Sequence, residues 1–401
     1  MDIKITPANL SGKIEAVSSK SYAHRLFLAA ALSNERTEIY MKNGSSDLNV
    51  TLEVLKNFGV RTSFDGNVVT VAPVDFLNVP DKVSINVHDS VATLRFLLPI
   101  ISAVTPQVTY DGEGKILLRP YTELLYTLKG VGFSSEKLPF TIKGSLLAGE
   151  YRIPPQVSMQ FVSGLMFALP LLKQDSKIIF MQTPNTVNTD MTMQVLSIFG
   201  VSIDKTDYGY YIAGNQKYIS PQKVVVEGDW ALSSVWKLCQ RLGGKIEIEN
   251  LNPSTLQTEK ANFDIIDGLF DGKNEICDVD LDLLPLLTVA SVFLNRKTEI
   301  RLAKKPTSKE LIKINTLILA LNKLGADVVG NDLGLVVNGM GRLSGGGLVD
   351  CFGDFRLAMA IAVAGCFSDN PIKILDVQSI LKHYPTFFND INALGGKAQV
   401  E

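Results

Sequence analysis

The stretch Asp354-Phe355-Arg356-Leu357-Ala358-Met359-Ala360-Ile361-Ala362-Val363-Ala364-Gly365-Cys366 reads as an acid followed by a helix that is apolar on nearly every face. Asp and Ser favour helix N-caps because their oxygens accept hydrogen bonds from the free amides of the first turn. A helix without a polar side is one that is buried all round. The same pattern recurs along the chain. Starts are read at Ser21 (to Leu32), Ser90 (to Ala103), Ser158 (to Leu172), Asp229 (to Leu242), Asp282 (to Leu294) and Asp354, at intervals of 69, 68, 71, 53 and 72 residues.

A second landmark keeps step with the first. Helical patterns end in Phe58-Gly59-Val60, Val131-Gly132-Phe133, Phe199-Gly200-Val201, Leu242-Gly243-Gly244, Leu324-Gly325-Ala326 and Leu394-Gly395-Gly396. Their glycines stand 73, 68, 43, 82 and 70 residues apart. Glycine can take the left-handed conformation that stops a helix. Most of these stops run into alternating strand-like residues such as Val60–Phe64 and Ala326–Val329. The 401 residues therefore read as six units of about 67 residues. Each unit has one buried helix, one more amphipathic helix (Leu48–Phe58 or Glu310–Leu324, for example) and strands between. The irregular intervals fall between the third and fifth units, where the join of two three-repeat halves is expected.

Composition excludes several classes. The chain is 46% hydrophobic and 20% charged, and carries a net charge of -2, so it is neither disordered nor a broadly basic nucleic-acid binder. Its longest apolar runs, such as Leu283–Leu294, are too short to span a bilayer, and Met1-Asp2-Ile3-Lys4-Ile5 has no signal-peptide character. Cys239, Cys277, Cys351 and Cys366 are scattered and read as reduced thiols, which gives the expectation of a cytoplasmic protein. His24, His88 and His383 have no metal-ligand spacing, and no phosphate-loop motif is present. The mean hydropathy of +0.17 is high, as a set of buried helices would make it. Helix N-termini carry partial positive charge and unpaired amides. If three gather in each half, a cleft between two such floors suits a small, multiply anionic substrate.

Charged residues near the helix starts are the candidates for chemistry. Ser18-Ser19-Lys20-Ser21-Tyr22-Ala23-His24-Arg25 places Lys20 and Ser21 at a helix entry with Arg25 one turn on, a set suited to phosphate or carboxylate. Arg95, Arg119 and Arg356 lie near other starts or in loops, and Ser158-Met159-Gln160 opens a buried helix with hydroxyl and amide groups. Asp282 and Glu310 are candidate general bases, although acids at this spacing are more often caps or surface acids.

These motifs, in this order, resemble those of the EPSP synthase family, the 3-phosphoshikimate 1-carboxyvinyltransferases of the enolpyruvyl transferase superfamily. Ser19-Lys20-Ser21 with Arg25 resembles the family's opening motif. Asp89–Arg95 resembles its Asn/Glu-Ser-Gly-Thr/Ser-x-x-Arg segment, Arg119-Pro120 its Arg-Pro, and Ser158-Met159-Gln160-Phe161 its Ser-Ser-Gln-Phe. Gly228-Asp229 and Asp282-Leu283-Leu284-Pro285 follow in order. Lys309-Glu310-Leu311-Ile312-Lys313 is similar to Lys-Glu-Ser/Thr-Asp-Arg, Gly353–Ala360 to the Asp-His-Arg-x-Ala-Met-Ala signature, and Lys382–Phe388 to Lys-Ser-Tyr-Pro-x-Phe-Phe.

The resemblance implies an α/β (α+β) fold: a two-domain inside-out α/β barrel of six βαβαββ repeats, with the active site in the interdomain cleft. It implies one discontinuous domain, 1–19 with 227–401, and a second over 20–226. The implied reaction transfers the enolpyruvyl group of phosphoenolpyruvate to the 5-hydroxyl of shikimate 3-phosphate. It passes through a tetrahedral intermediate, releases phosphate and needs no metal or organic cofactor. Carried over by motif, Lys20, Asp282 and Glu310 are the catalytic residues. Lys20, Ser21, Arg25, Ser158, Met159, Gln160, Asn185, Asp282 and Lys309 stand where shikimate 3-phosphate is bound. Lys20, Val91, Arg119, Gln160, Lys313, Arg356 and Lys382 stand where phosphoenolpyruvate is bound. A monomer without nucleic-acid or membrane partners is expected.

The chain departs from the family at several of these positions. Val91 replaces a Gly whose backbone approaches phosphoenolpyruvate, which predicts low sensitivity to glyphosate. Met159 replaces a Ser. Asn185 and Asn188 stand where a Ser and a Tyr are common. Phe355 replaces the signature His, Ile312 an Asp, and Lys313 an Arg, trading a bidentate fork for a point charge. Losing one bidentate charged contact costs about 1.5–3 kcal/mol. Two alternatives to the family reaction follow. One is a paralogue that binds anionic ligand without normal turnover. The other is a UDP-N-acetylglucosamine enolpyruvyl transferase, whose reactive Cys is missing from Asp111–Leu118.

Overall fold

The computed structural model describes residues 1–42, 44–74 and 79–401. The chain divides into two compact units, Ser18–Glu227 and, discontinuously, Met1–Val17 with Gly228–Glu401.

In the unit Ser18–Glu227 the helices are α1 (Lys20–Leu32), α2 (Ser46–Lys56), α3 (Val91–Val104), α4 (Thr122–Thr127), α5 (Met159–Ala168) and α6 (Val187–Ile198). Helices α1, α3 and α5 bury almost their whole length, from Tyr22 to Leu32 in α1 and from Phe161 to Ala168 in α5. Three sheets of one design surround them. In one, Lys82–Asn86 runs parallel to Gln107–Asp111, which pairs antiparallel with Phe140–Gly144, itself antiparallel to Val131–Phe133. The strand Lys223–Val225, at the end of the unit, joins the sheet begun by Thr37–Tyr40 and so closes the cycle of repeats.

The other unit contains α7 (Trp230–Arg241), α8 (Ala261–Phe270), α9 (Leu284–Val292), α10 (Ser308–Lys323), α11 (Phe355–Cys366), α12 (Gln378–His383) and α13 (Phe387–Ala393). All nine residues of α9 are buried, as are Leu357–Cys366 of α11. The third core helix departs from the expected all-apolar type. Helix α7 buries Trp236, Leu238 and Cys239 but carries Lys237 and Arg241, which pair with Asp267 of α8 at 2.7 and 3.5 Å. Two sheets repeat the four-stranded design, and one of them is completed by the N-terminal strand Ile3–Thr6 between Ile372–Leu375 and Lys397–Val400.

The third sheet of this unit has two strands, Ser11–Glu15 and Lys245–Glu249. Between α8 and the strand Glu275–Val279 the fourth repeat has no hairpin, whereas its counterparts do. This accounts for the short 53-residue interval between Asp229 and Asp282. It also corrects one landmark. Gly243 follows the buried helix α7, and the counterpart of Gly200 is Gly272, 72 residues on, which follows α8 at φ +119°. In the second repeat the left-handed glycine is Gly130 (φ +81°), while Gly132 lies within a strand.

Four of the six expected N-caps form. Ser90, Ser158, Asp229 and Asp354 accept from first-turn amides of α3, α5, α7 and α11. Two do not. Helix α1 begins one residue before Ser21, with Ser19 at the cap position and no side-chain cap. Helix α9 is preceded by Leu283 and starts with Leu284-Pro285, so Asp282 caps nothing. Proline at that place needs no amide partner, which lowers the demand for a capping side chain.

Candidate active site

The first cluster is built on the starts of α1, α2, α3 and α5. Lys20, the first residue of α1, directs Nζ to Asp47 Oδ2 at 2.5 Å. Asp47 sits in the first turn of α2 and is 7% exposed, while about a third of the Lys20 side chain reaches solvent. A carboxylate so buried needs a countercharge, and the pairing holds the ammonium at the mouth of the cluster. Nothing in the sequence pattern singled out Asp47, because its partner is 27 positions away.

Behind this pair, hydroxyls tie the helix starts together. Thr51 Oγ1 lies 2.9 Å from His24 Nδ1 and 2.8 Å from Thr93 Oγ1, which is 2.8 Å from Ser90 Oγ. Burial pushes the His24 imidazole down to about 3, so it is neutral and works as a hydrogen-bonding spacer.

Arg25, expected among the residues that hold shikimate 3-phosphate, is built deep into the cluster. It is 1% exposed, and each of its three nitrogens donates at least once within the protein. Nε donates to Thr192 Oγ1 at 2.8 Å, Nη1 to the Ser21 carbonyl at 2.6 Å, and Nη2 to the Asn188 carbonyl at 2.8 Å. The guanidinium also lies 5.0 Å over the Phe96 ring. Burial lowers it to about 9, still charged at neutral pH. The departure at Asn188 thus has a structural partner, since its carbonyl and Oδ1 both accept from Arg25 Nη2. Arg25 supports Ser21 from beneath.

Around the starts of α3 and α5, Arg95 Nη1 donates to Gln160 Oε1 at 3.3 Å. Arg119, exposed after a short 3-10 turn at Gly114–Leu118, is near enough to Arg95 to oppose its charge. Burial is the larger influence lowering Arg95, with Arg119 adding to it. Two cations beside one amide make a place that gains from an anion. Val91 is the first residue of α3, half-buried and packed against the core. Ser158 caps α5 by accepting from Gln160 N at 3.3 Å, and Met159 turns onto the core. Asn185 accepts from Val187 N at 3.1 Å in the turn before α6.

The second cluster lies in the other unit, at the starts of α9, α10, α11 and the end of α12. Asp282, free of any cap, pairs with Arg356 at 2.7 Å. Although 56% of the Asp282 side chain is exposed, surrounding protein displaces enough water to raise its carboxyl above the usual range, with Arg356 opposing. Asp354 caps α11 with one oxygen, accepting from Arg356 N and Leu357 N, and offers the other to Lys313 at 3.6 Å. Asp282, Lys313, Asp354 and Arg356 line one groove, which Ile312, Phe352 and Phe355 extend.

Glu310 is in a capping box. Its Oε2 accepts from Thr307 N and Thr307 Oγ1, both at 2.8 Å, while Glu310 N donates to Thr307 Oγ1 at 3.3 Å. These bonds lower its carboxyl, and Lys304, 3.7 Å away, contributes less. It borders a cavity of about 390 Å³ with Asp280 and Lys304. Lys309 is exposed on the first turn of α10, and Lys382 is half-buried on α12. Phe355, in place of the family His, stacks on His383 with ring centroids 4.0 Å apart. Among the described residues no group of three or more His, Cys, Asp or Glu is placed to hold a metal ion, and no helix is long and apolar enough to cross a membrane.

Each unit thus gathers cations and carboxylates around helix starts, on a frame of repeated sheets and buried helices. The family model for EPSP synthase (3-phosphoshikimate 1-carboxyvinyltransferase) matches residues 5–391. The chain is 33% identical to the 3-phosphoshikimate 1-carboxyvinyltransferases of Clostridium acetobutylicum and Clostridium kluyveri, over 98% of its own length and 97% of theirs. An EPSP synthase structure from Acinetobacter baumannii superposes over 100% of both chains with a TM-score of 0.84 at 18% identity, a likeness of fold. The chain belongs to the EPSP synthase family.

Proposed function

We propose that the chain transfers the enolpyruvyl group of phosphoenolpyruvate to the 5-hydroxyl of shikimate 3-phosphate, releasing phosphate. The observation that carries this reading is the match to named 3-phosphoshikimate 1-carboxyvinyltransferases along almost the whole of both chains. The local geometry supports it. Both substrates are anions, and Lys20 and Arg356 at helix starts, Lys313 in α10, Arg119 after the 3-10 turn and Lys382 at the end of α12 are the cations offered to meet them.

The roles divide as follows. Lys20 bridges the substrates and moves a proton, and Asp47 fixes its ammonium. Ser21, Ser158, Gln160 and Lys309 hold shikimate 3-phosphate, with Met159 and Asn185 at the edge of that subsite. Arg25 acts through Ser21. Arg119, Gln160, Lys313, Arg356 and Lys382 hold phosphoenolpyruvate, with Val91 shaping its pocket. Asp282, whose carboxyl is raised, exchanges protons with the 5-hydroxyl, and Glu310 is the ionised second carboxylate. Attack of that hydroxyl on C2 of phosphoenolpyruvate, with protonation at C3, forms the tetrahedral intermediate. Loss of phosphate from C2 together with a proton from C3 then restores the double bond and completes the transfer.

The test mixes the protein with both substrates and follows phosphate release beside a Lys20→Met control. Release that depends on both substrates and is abolished in the control is expected. Absence of release from the unaltered protein overturns the reading and favours a paralogue that binds without turnover.

A further inference from the structure

The Phe355–His383 contact joins two departures from the family pattern that sequence separates by 28 positions. The family motifs place His at 355 and Ser at 383; here the rings are Phe and His, and they stack at 4.0 Å with planes 24° apart. Each ring is the chain neighbour of a cation. Phe355 precedes Arg356 at the start of α11, and His383 follows Lys382 at the end of α12. The Arg356 guanidinium also lies 4.5 Å over the Phe355 ring while it pairs with Asp282. The Phe355 ring therefore contacts both an imidazole and a guanidinium.

We propose that Phe355 and His383 form a positioning pair that sets the separation and direction of Arg356 and Lys382, and so tunes affinity for the carboxylate-bearing phosphate substrate. In this role the two rings act through Arg356 and Lys382. The stack restrains the start of α11 against the end of α12, and the guanidinium–ring contact restricts the Arg356 fork to the direction in which it can meet a carboxylate bidentately. An imidazole at 355 without a partner ring at 383, the arrangement of the family motifs, lacks this brace.

The inference rests on the reading of Arg356 and Lys382 as phosphoenolpyruvate ligands, and the experiment separates the two. Steady-state constants for each substrate are measured for the unaltered enzyme, His383→Ala, His383→Phe, Phe355→Leu and Arg356→Ala. His383→Ala and Phe355→Leu are expected to raise KM for phosphoenolpyruvate by about threefold to tenfold, the range for loss of one ring contact beside a cation. KM for shikimate 3-phosphate should stay within about twofold in both. His383→Phe, which keeps the ring, should restore the unaltered value. Equal loss in His383→Ala and His383→Phe, or a change in kcat with both KM values intact, overturns the positioning role. If Arg356→Ala leaves KM for phosphoenolpyruvate unchanged, the ligand reading itself fails. If Arg356→Ala raises it and the ring variants do not, only the pair is refuted.

Discussion

The starts of α9 and α10 carry the two acids proposed for catalysis, and the structure treats them in opposite ways. Asp282 precedes a helix whose first turn contains Pro285, caps nothing, and faces Arg356 with its carboxyl raised by burial. Glu310 is locked into a capping box, and two bonds from Thr307 hold its carboxyl low. Both stand near a helix start, so sequence alone makes them look alike. The surroundings of each acid therefore move the two carboxyls in opposite directions, Asp282 up through lost solvation and Glu310 down through the bonds of its capping box. A carboxylate accepting from a backbone amide is stabilised as an anion, and one deprived of water is not.

The largest expected effect comes from removing the proton-trading acid. Asp282→Asn should lower kcat by about a hundredfold to ten-thousandfold, in line with loss of a general acid–base group. Glu310→Gln should lose less, because a Gln at that place still accepts from the Thr307 amide and keeps the helix start. Equal losses in the two variants would break the contrast.

Dependence on pH sharpens the same comparison. Asp282 must be ionised to take a proton, so activity should fall as pH drops through its carboxyl's value. Since that value is raised, the fall should begin above the ordinary range for an Asp, whose reference is 3.8. Glu310 is already ionised there, so Glu310→Gln should keep this acid limb in place while Asp282→Glu displaces it. A limb that moves in Glu310→Gln and not in Asp282→Glu would reverse the assignment.

Much of the frame was legible because buried helices and left-handed glycines are local signals. Ser90, Ser158, Asp229 and Asp354 each cap the helix read from them. Asp282 was grouped with them, but a nearby acid intervenes: Asp280 Oδ1 accepts from Asp282 N at 3.2 Å. Gly243 looked like its counterparts because a glycine after any helix end has the same sequence appearance, and only the pairing of strands shows which helix it ends. The site was legible as a set of cations and acids. Their partners were not. Lys20 with Asp47, Arg25 with Asn188 and Thr192, and Phe355 with His383 all meet across 27 to 167 residues. No periodicity encodes such contacts, so nothing in the sequence pointed to Asp47 or to the internal partners of Arg25.

The smallest expected effect isolates the cap itself. Thr307→Ala removes the hydroxyl that Glu310 Oε2 and Glu310 N both engage, and leaves the Thr307 amide bond to Glu310 in place. Loss of an N-cap side chain costs about 1 kcal/mol, measurable as an earlier urea midpoint at neutral pH. The sign with pH follows from the lowered Glu310 carboxyl. Its contribution to stability is present above the ordinary Glu range, whose reference is 4.5, and fades as pH falls through the lowered value. With one of its two donors gone, the Glu310 carboxyl should move back toward 4.5, so the variant should lose this contribution at a higher pH than the unaltered protein. The stability difference between the two proteins should therefore be present at neutral pH and shrink once both carboxyls are protonated. A difference that stays constant through the acid range would mean that the Thr307 hydroxyl serves the helix amide alone and leaves the ionisation of Glu310 to the backbone.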